Sequence, residues 1–315
     1  MDGLEILPVL FLAVAIDLAL GEPPNLFHPV AWMGKVTSFL VKACISQRPL
    51  VQFVWGAGIT LVIIGLFTAP VFFLFYYLKS LSFVAYVIAG ALLLKLTFSL
   101  RGLRRAALDV KKLLLKRSLA EARYALRSLV SRNTGDLTES LVVSATVESV
   151  AENTCDSFVA PLFYYLLFGV SGAVAYRVVN TMDTMIGYHG EYEYLGKFAS
   201  RLDDVLNFIP ARLTALLLVL AAFLLRRDAK MSWRVVCSDH AKTESPNAGW
   251  SMAAVAGALN VQLEKVGHYK LGIADASLVP ETIDASVRLM QLAGLAWVVI
   301  CSITGVIYLV FISQT

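Results

Sequence analysis

Three carboxylates recur at helical spacing in the middle of the chain, where oxygen ligands could bind a cation. Glu148, Glu152 and Asp156 are each four residues apart, so an α-helix would align them in one stripe. Like charges at this spacing destabilise an isolated helix, and a compensating partner is therefore expected. A divalent cation or arginines from another helix would serve, and a solvated helix face is the alternative. Because apolar residues flank the stripe, we favour a binding site.

A second polar group follows the next apolar segment. Asn180, Asp183 and Thr184 lie within one helical turn, shortly after Arg177. Helix capping near Gly187 would explain one of these side chains but hardly all of them. The group is therefore a second candidate for the lining of a polar pocket.

A third group combines acids with bases. Asp203 and Asn207 are one helical turn apart, and Arg201 and Arg212 stand on either side of them. Guanidinium groups are suited to phosphate or carboxylate oxygens, although acids in the first turn of an ordinary helix are the alternative. Pro210 disfavours a long uninterrupted helix through this stretch.

Two loop sequences add candidate residues. Ser245-Pro-Asn247 opens an uncharged segment and could offer backbone N–H groups to an anion, but a plain N-cap explains it equally well. Residues 17–35 include His28 and Lys35, and the residues alone favour a turn-rich loop there.

The composition places these groups in a membrane protein. Of the 315 residues, 58% are hydrophobic and 16% are charged, against about 45–50% and about 25% in soluble domains. This excludes a disordered chain and disfavours an ordinary cytosolic enzyme. The net charge of +4 comes without a long basic run, so no nucleic-acid partner is expected. The sequence has no phosphate-binding loop, no dinucleotide fingerprint and no zinc motif.

Four apolar segments are predicted to span the membrane. They cover residues 6–21, 49–78, 81–100 and 289–315. The bases in the loop after the first span place residues 22–48 in the cytoplasm. The basic stretch that follows carries an apolar stripe, and it predicts an amphipathic helix over 101–135 lying on lipid headgroups.

The middle of the chain is ambiguous by hydropathy. Residues 157–176 are interrupted by Gly169, and residues 213–225 are short for a span. A second basic cluster from Arg226 onward also predicts a cytoplasmic position. The chain should therefore cross the membrane an even number of times, or not at all, between residues 139 and 226.

Sheet signals are weak throughout, and the predicted fold is all-α. We expect a polytopic integral membrane protein with about four to six spanning or re-entrant helices around a polar cavity. The prediction is one membrane-embedded domain, residues 1–315. Its parts are N-terminal spans (1–100), a cytoplasmic amphipathic helix (101–135), a catalytic core (139–265) and a C-terminal span (289–315). From the residues alone, such a protein fits a transporter about as well as an enzyme.

The same polar segments resemble the CobD/CbiB family, the adenosylcobinamide-phosphate synthases of cobalamin biosynthesis. The most specific strings are VESVAENT at 147–154, NTMDTMIGY at 180–188 and RLDDVLNFIPARL at 201–213. SPNAGW at 245–250 also matches, and the likeness runs from about residue 15 to residue 290 in the family's order.

The resemblance implies a membrane ligase that uses ATP and Mg²⁺. It would join the free propionate carboxylate of adenosylcobyric acid to the amine of (R)-1-aminopropan-2-yl phosphate, or of ethanolamine phosphate in some relatives. The implied partners are the corrinoid, the amino-alcohol phosphate, membrane lipid and other membrane proteins of the cobalamin pathway. The alternatives are a transporter for a corrinoid or an anion, and a non-catalytic scaffold.

The resemblance supports the matching positions, and the roles that we assign to them are hypotheses. The expected Mg²⁺ ligands are Glu148, Glu152, Asp156 and Asp183. The expected nucleotide-binding residues are Arg177, Lys35, Ser245 and Asn247. The expected catalytic residues are Arg201, Arg212, Asn180, and Asp203 or Asp204 as the proton acceptor. Because ATP is cytoplasmic, residues 157–176 and 208–225 should be broken or re-entrant helices that leave the site facing the cytoplasmic side of the cell membrane.

Overall fold

The computed structural model describes residues 4–23, 28–43, 48–187 and 192–312. The predicted all-α fold is confirmed. The helices are α1 Ile6–Leu20, α2 Pro29–Lys42, α3 Pro49–Leu81, α4 Phe83–Lys95, α5 Leu100–Leu115, α6 Leu119–Leu126, α7 Glu139–Thr154, α8 Ala160–Ile186, α9 Lys197–Leu224, α10 Ala229–Asp239, α11 Ala248–Leu259 and α12 Pro280–Ile312. A π-helical turn, Cys155–Val159, joins α7 to α8.

Within the described part of the chain, five helical segments are long and apolar enough to cross a membrane. They are Pro49–Leu81, Phe83–Leu115, Glu139–Ile186, Lys197–Leu224 and Pro280–Val310. The predicted spans at 49–78 and 289–315 correspond to α3 and α12. The predicted span at 6–21 is wrong in length, because α1 has 15 residues and a span needs about 20.

The apolar segments differ in how much protein covers them. Only 22% of the most apolar window of α3 is buried, whereas 61% of that window is buried in Glu139–Ile186. An uncovered apolar face needs lipid. The hydrophobicity of α3 is therefore that of a lipid-facing helix, and that of residues 139–186 belongs largely to the protein interior.

The contacts divide the chain into two compact units. Unit 1 consists of Met1–Ser99, Ala160–Leu206 and Cys301–Thr315, and unit 2 consists of Leu100–Val159 and Asn207–Ile300. Each unit combines stretches that are distant in the sequence. The single domain and its four consecutive regions, which we inferred from the sequence, remain predictions.

In unit 1, α8 is a helical hairpin. Gly169 has a non-helical backbone (φ 69°, ψ −162°), a conformation that glycine adopts readily because it lacks a Cβ. The rings of Tyr164 and Tyr176 stack with centroids 5.3 Å apart, although twelve residues of straight helix would separate them by about 18 Å. The chain therefore folds back at Gly169. We call residues 160–168 the first arm and residues 170–186 the second arm.

This reversal agrees with the expected break in residues 157–176. Gly172 lies where the arms are closest, since a Cβ there would come within 2.6 Å of the Tyr164 carbonyl oxygen. The second arm also packs on α2, where Gly34 faces the Met185 sulfur. Gly196 and Leu195, just before α9, lie against Ile186 and against Gly56 of α3, respectively.

The expectation of a broken or re-entrant helix at 208–225 is wrong. Helix α9 runs without interruption for 28 residues and contains Pro210. Proline removes an intrahelical hydrogen bond, here the one to Leu206. The Tyr164 hydroxyl donates to the Leu206 carbonyl oxygen at 2.9 Å, and this external donor replaces the missing bond.

In unit 2, the predicted amphipathic stripe is covered by protein. Residues 101–135 form two helices, α5 and α6, joined by a turn at Arg117 (φ 59°). Val110, Leu114 and Leu126 are fully or almost fully buried, and α5 and α6 pack on each other and on α7. A single helix lying on headgroups is therefore not observed, because the periodicity shows an apolar face but not what covers it.

A short β-hairpin was missed by the sequence analysis. Strands β1 Gln262–Lys265 and β2 Tyr269–Gly272 pair antiparallel, with Leu263 opposite Leu271. Both leucines are buried, and the hairpin packs against α7 and α11. Strands of four residues are too short for a clear alternation of polar and apolar residues.

Candidate functional site

The second arm and α9 bring Asn180 and Asp203 together in unit 1. The Asn180 amide donates to a carboxylate oxygen of Asp203 at 3.4 Å, and the side chains are buried (7% and 9% exposed). Arg177 donates to the side-chain carbonyl oxygen of Asn180 at 3.3 Å. The three groups form a chain that runs from a guanidinium through an amide to a buried carboxylate. We call it the Arg177–Asn180–Asp203 chain.

Two further carboxylates face each other beside this chain. Asp183 accepts a hydrogen bond from Ser200 and interacts electrostatically with Asp204. Arg201 donates to Asp204 at 3.2 Å. A Cβ on Gly187 would collide with an Asp183 carboxylate oxygen, so only glycine fits there without displacing Asp183. Helix capping alone therefore does not explain this group.

Lys35 lies at the edge of this region. It is exposed on α2, one residue after Gly34, which contacts Met185 of the second arm. Thr184, by contrast, has an ordinary structural role, because its hydroxyl donates to the Asn180 backbone carbonyl at 2.8 Å.

In unit 2, Glu148 is a buried acceptor with three donors. Ser144 donates to one of its carboxylate oxygens at 2.7 Å and Tyr269 donates to the other at 2.9 Å. Arg132 lies 3.4 Å from that second oxygen. Burial by itself raises the pKa of the Tyr269 hydroxyl, and the negative charge of Glu148 raises it further, so the hydroxyl remains protonated and donating.

The carboxylate stripe is interrupted after Glu152. Asp156 lies in the π-helical turn, where the helix is wound less tightly, so it does not continue the α-helical spacing. Both Glu152 and Asp156 are half-buried. Among the residues that the structure describes, no three His, Cys, Asp or Glu side chains lie together as a metal site. The four-carboxylate magnesium site remains a prediction.

A second polar cluster in unit 2 surrounds Arg212. Its guanidinium lies 3.6 Å from the centre of the Phe208 ring and 4.6 Å from that of Trp250, and it donates to the Asn247 side chain at 3.1 Å. The Ser245 hydroxyl accepts from the backbone N–H groups of residues 247 and 248. The Ser245 hydroxyl thus binds backbone N–H groups at the start of α11, whose N-cap residue is Asn247.

Comparisons with known proteins agree with the sequence motifs. The family model described as CobD/Cbib protein matches residues 10–290. The chain belongs to this family. It is 52% identical over 305 residues to "Cobalamin biosynthesis protein CobD" of Dehalococcoides mccartyi, covering 97% of this chain and 98% of the relative.

Two archaeal relatives extend the comparison. "Probable cobalamin biosynthesis protein CobD" of Methanothermobacter thermautotrophicus is 41% identical, with 90% of this chain and 93% of the relative covered. The protein of the same name from Pyrococcus furiosus is 43% identical, with 82% of this chain and 85% of the relative covered. No solved structure matches the chain.

The predicted site residues of this CobD/Cbib protein fall into both units. Unit 1 holds Lys35, Arg177, Asn180, Asp183, Arg201, Asp203 and Asp204. Unit 2 holds Glu148, Glu152, Asp156, Arg212, Ser245 and Asn247. Direct hydrogen bonds connect predicted residues in the Arg177–Asn180–Asp203 chain, the Arg201–Asp204 pair and the Arg212–Asn247 pair.

A buried ionic group in unit 1 was not identified by the sequence analysis. Lys95, which is 3% exposed, lies 3.7 Å from Asp17 and 2.8 Å from Glu22. His28 donates to Glu22 at 2.7 Å. Asp17 and Lys95 are the charges that interrupt two apolar segments. Opposite charges in such segments are expected to pair, and this signal was available from the sequence.

Proposed function

We propose that this protein is a membrane ligase that joins adenosylcobyric acid to an amino-alcohol phosphate with consumption of ATP. The product would be adenosylcobinamide phosphate, and the amine would be (R)-1-aminopropan-2-yl phosphate or ethanolamine phosphate. Two observations support the proposal. Relatives covered over nearly their full length are named as cobalamin biosynthesis proteins, and the most specific family strings contain the polar cluster of unit 1.

The observation that carries the proposal is the Arg177–Asn180–Asp203 chain. A carboxylate that is only 9% exposed costs free energy to bury, and such groups in apolar segments usually mark functional sites. Amide-bond formation needs a group that takes a proton from the attacking amine, and a carboxylate held by a neutral amide donor is suited to that role. A lipid-facing structural helix would not need it.

The proposed reaction has two steps. The substrate carboxylate takes the terminal phosphoryl group of ATP, which gives an acyl phosphate and ADP. The amine nitrogen then attacks the carbonyl carbon, so that a C–N bond forms and the C–O bond to phosphate breaks. The nitrogen loses a proton to Asp203 or Asp204, and inorganic phosphate leaves. In unit 1, Arg201 would stabilise the negative charge that develops on the phosphoryl group.

The carboxylates of unit 1 fit a magnesium ion shared with ATP. Mg²⁺ in ATP-dependent enzymes is usually held by one or two carboxylates together with substrate phosphates, so three clustered acids are not required. Asp183 faces Asp204, and Asp183 would be such a ligand. Glu148 fits less well, because both of its oxygens already accept protein hydrogen bonds. The ion would neutralise phosphate charge during transfer.

Nucleotide and substrate phosphates would be bound by the remaining polar residues. In unit 1, Arg177 and Lys35 are the bases assigned to this role. We further propose that the protein lies in the cell membrane with this site facing the cytoplasm, where ATP is available. Corrinoid, amino-alcohol phosphate and membrane lipid are the proposed partners, and other membrane proteins of the cobalamin pathway are proposed neighbours.

A turnover assay tests this function directly. Purified protein in lipid nanodiscs is incubated with adenosylcobyric acid, ATP, Mg²⁺ and each amine phosphate in turn, and the corrinoid product and ADP are quantified. We expect equal amounts of product and ADP. Chelation of Mg²⁺ with EDTA should stop the reaction, and added Mg²⁺ should restore it.

The purified protein, reconstituted into sealed lipid vesicles, distinguishes the alternatives. Protein that moves corrinoid across a sealed vesicle without forming product would support the transporter instead. Protein that neither turns over nor transports, while binding other cobalamin-pathway proteins, would support the scaffold. Repeated turnover of ATP to ADP without the amine would contradict the coupled reaction.

A further inference from the structure

Tyr164 connects both arms of α8 to α9 in unit 1, although no motif in the sequence marked it. Its ring stacks on Tyr176 with centroids 5.3 Å apart and planes 11° apart. Its hydroxyl donates to the Leu206 carbonyl oxygen at 2.9 Å. A single side chain on the first arm thus contacts the second arm through its ring and α9 through its hydroxyl.

The Leu206 carbonyl needs this external donor because of Pro210. In an α-helix the carbonyl of residue 206 accepts from the N–H of residue 210, and proline has no N–H. A partly buried carbonyl without a donor destabilises the fold. The Tyr164 hydroxyl therefore occupies an acceptor that Pro210 has made available.

The two contacts of Tyr164 lie next to the proposed catalytic chain. Tyr176 immediately precedes Arg177, and Leu206 is three residues after Asp203 on the same helix. The Asn180–Asp203 hydrogen bond joins the same two helical elements. The distance between the Asn180 amide and the Asp203 carboxylate therefore depends on how the second arm is held against α9. Tyr164 links these two elements next to that hydrogen bond.

We propose that Tyr164 is a positioning residue for the Arg177–Asn180–Asp203 chain, and that Pro210 provides the acceptor through which it acts. The role in turnover rests on the proposed function. The hydrogen bond and its effect on the geometry of unit 1 do not, so the two parts are tested separately.

A double-mutant cycle tests the link. Y164F removes the hydroxyl and keeps the ring, and P210A restores the backbone N–H of residue 210. We expect Y164F alone to lower the unfolding temperature on the order of 2–4 °C. It should also lower kcat about tenfold, because the Arg177–Asn180–Asp203 chain is then misplaced. In the P210A background the same change should have little effect, since Leu206 then has its intrahelical donor. P210S supplies the same N–H if P210A folds poorly.

Tyr165 provides the matched control. It is the neighbouring tyrosine, and its hydroxyl also donates to a backbone carbonyl, that of Ile6, which no proline has deprived of its donor. Y165F should therefore have the same effect in the P210A background as in the unchanged protein. Equal effects of Y164F in both backgrounds would overturn the proposal, as would no effect of Y164F in either.

A distance measurement separates this proposal from the proposed function. Spin labels at Thr184 and Val205, both exposed, report the separation of the second arm from α9 by electron paramagnetic resonance. The distance distribution should broaden in Y164F and return to its original width in Y164F/P210A. This result with a protein that shows no ligase turnover would overturn the function alone. An unchanged distribution in Y164F would overturn the positioning role even if turnover is observed.

Discussion

Asp203 is the residue on which the proposed chemistry depends most. It is buried, it accepts a hydrogen bond from Asn180, and Asn180 in turn accepts from Arg177. The hydrogen bond from the Asn180 amide helps to fix the carboxylate in place. Asp204, one residue later, pairs with the exposed Arg201 at 3.2 Å. The two adjacent acids thus have different surroundings, which suits them to different roles.

Replacement of Asp203 by asparagine should abolish proton transfer while preserving shape. We expect D203N to lower kcat by about 10² or more, with an unfolding temperature close to that of the unchanged protein. Turnover and thermal unfolding of the same preparation provide the measurement. D109N is the matched control, because Asp109 is exposed and pairs only loosely with Arg105 at 4.0 Å. Full activity in D203N would exclude Asp203 as the proton acceptor.

Glu148 shows how a residue in a family string can also have a structural role. Its two oxygens accept from Ser144 and Tyr269, and Arg132 lies nearby. The spacing to Glu152 suggested a cation, but the sequence contained no sign that a tyrosine 121 residues later would supply a donor.

Loss of the Tyr269 hydroxyl should therefore destabilise unit 2. Y269F leaves one Glu148 oxygen without its closest donor, and we expect the free energy of unfolding to fall by about 1–3 kcal/mol. Y124F provides the control, since Tyr124 lies on α6 of the same unit and is 74% exposed. Denaturant unfolding in detergent measures both. Equal stability of Y269F and Y124F would contradict a structural role for the Glu148 hydrogen bonds.

At the scale of elements, unit 1 is held together by polar contacts between apolar helices. Lys95 of α4 pairs with Asp17 of α1 and with Glu22, and Glu22 also accepts from His28, the N-cap residue of α2. The Val30 N–H lies 3.3 Å from the other ring nitrogen of His28. This cluster of polar side chains therefore connects α1, α2 and α4.

This group predicts a loss of stability in acid. Burial raises the pKa of Glu22, but hydrogen bonds from His28 and Lys95 outweigh burial and lower the pKa to about 2. Because the folded pKa is below the unfolded value near 4.5, the stabilisation is complete above pH 4.5 and is lost as the pH falls toward 2. E22Q should be less stable than the unchanged protein at pH 6, and the difference should shrink toward pH 2. Unfolding temperatures across this range provide the measurement.

The matched control for this pH dependence is E139Q. Glu139 is an exposed acid in the first turn of α7, so its replacement should leave the acid sensitivity unchanged. A constant stability difference between E22Q and the unchanged protein from pH 6 to pH 2 would show that Glu22 contributes no ionised interaction.

At the scale of the whole molecule, hydrophobicity has two different uses. The apolar windows of α3 and α12 are 22% and 33% buried, whereas those of Glu139–Ile186 and α9 are 61% and 50% buried. The first pair provides the uncovered apolar faces that a bilayer requires. The second pair contains the carboxylates and arginines of the family strings, and its apolar residues surround polar groups inside the protein.

The helical hairpin predicts on which side of the membrane Asp183 lies. Because α8 turns back at Gly169, the end of the second arm should return to the side from which α7 enters, which the basic stretch assigns to the cytoplasm. In a cysteine-free background, T184C should react with an impermeant thiol reagent only in inverted vesicles. R105C, in the basic stretch, should behave likewise, and S80C, at the end of α3, should react in intact cells.

The controls at residues 80 and 105 confirm the orientation independently of the hairpin. All three positions are exposed in the structure, so reactivity depends on the side of the membrane. Reaction of T184C in intact cells, with the controls as expected, would place Asp183 outside and contradict a cytoplasmic active site.

The sequence by itself determined the class of the protein, its helical content, the positions of α3 and α12, and its family. These features depend on local composition and on strings of nearby residues, which can be recognised without knowledge of the fold. It also indicated the break at Gly169, because glycine interrupts an apolar helix. The uninterrupted α9 was not predicted, since the donor that compensates Pro210 comes from Tyr164, 42 residues away from Leu206 in the chain.

Only the tertiary structure decided which polar residues meet. The pairing of Asp17 with Lys95, the donors to Glu148 and the cover on the α5 stripe all join distant segments. Local periodicity specifies the face that a helix buries but not its partner. The same reason explains why the sequence could not show how the thirteen predicted site residues are distributed over the two units.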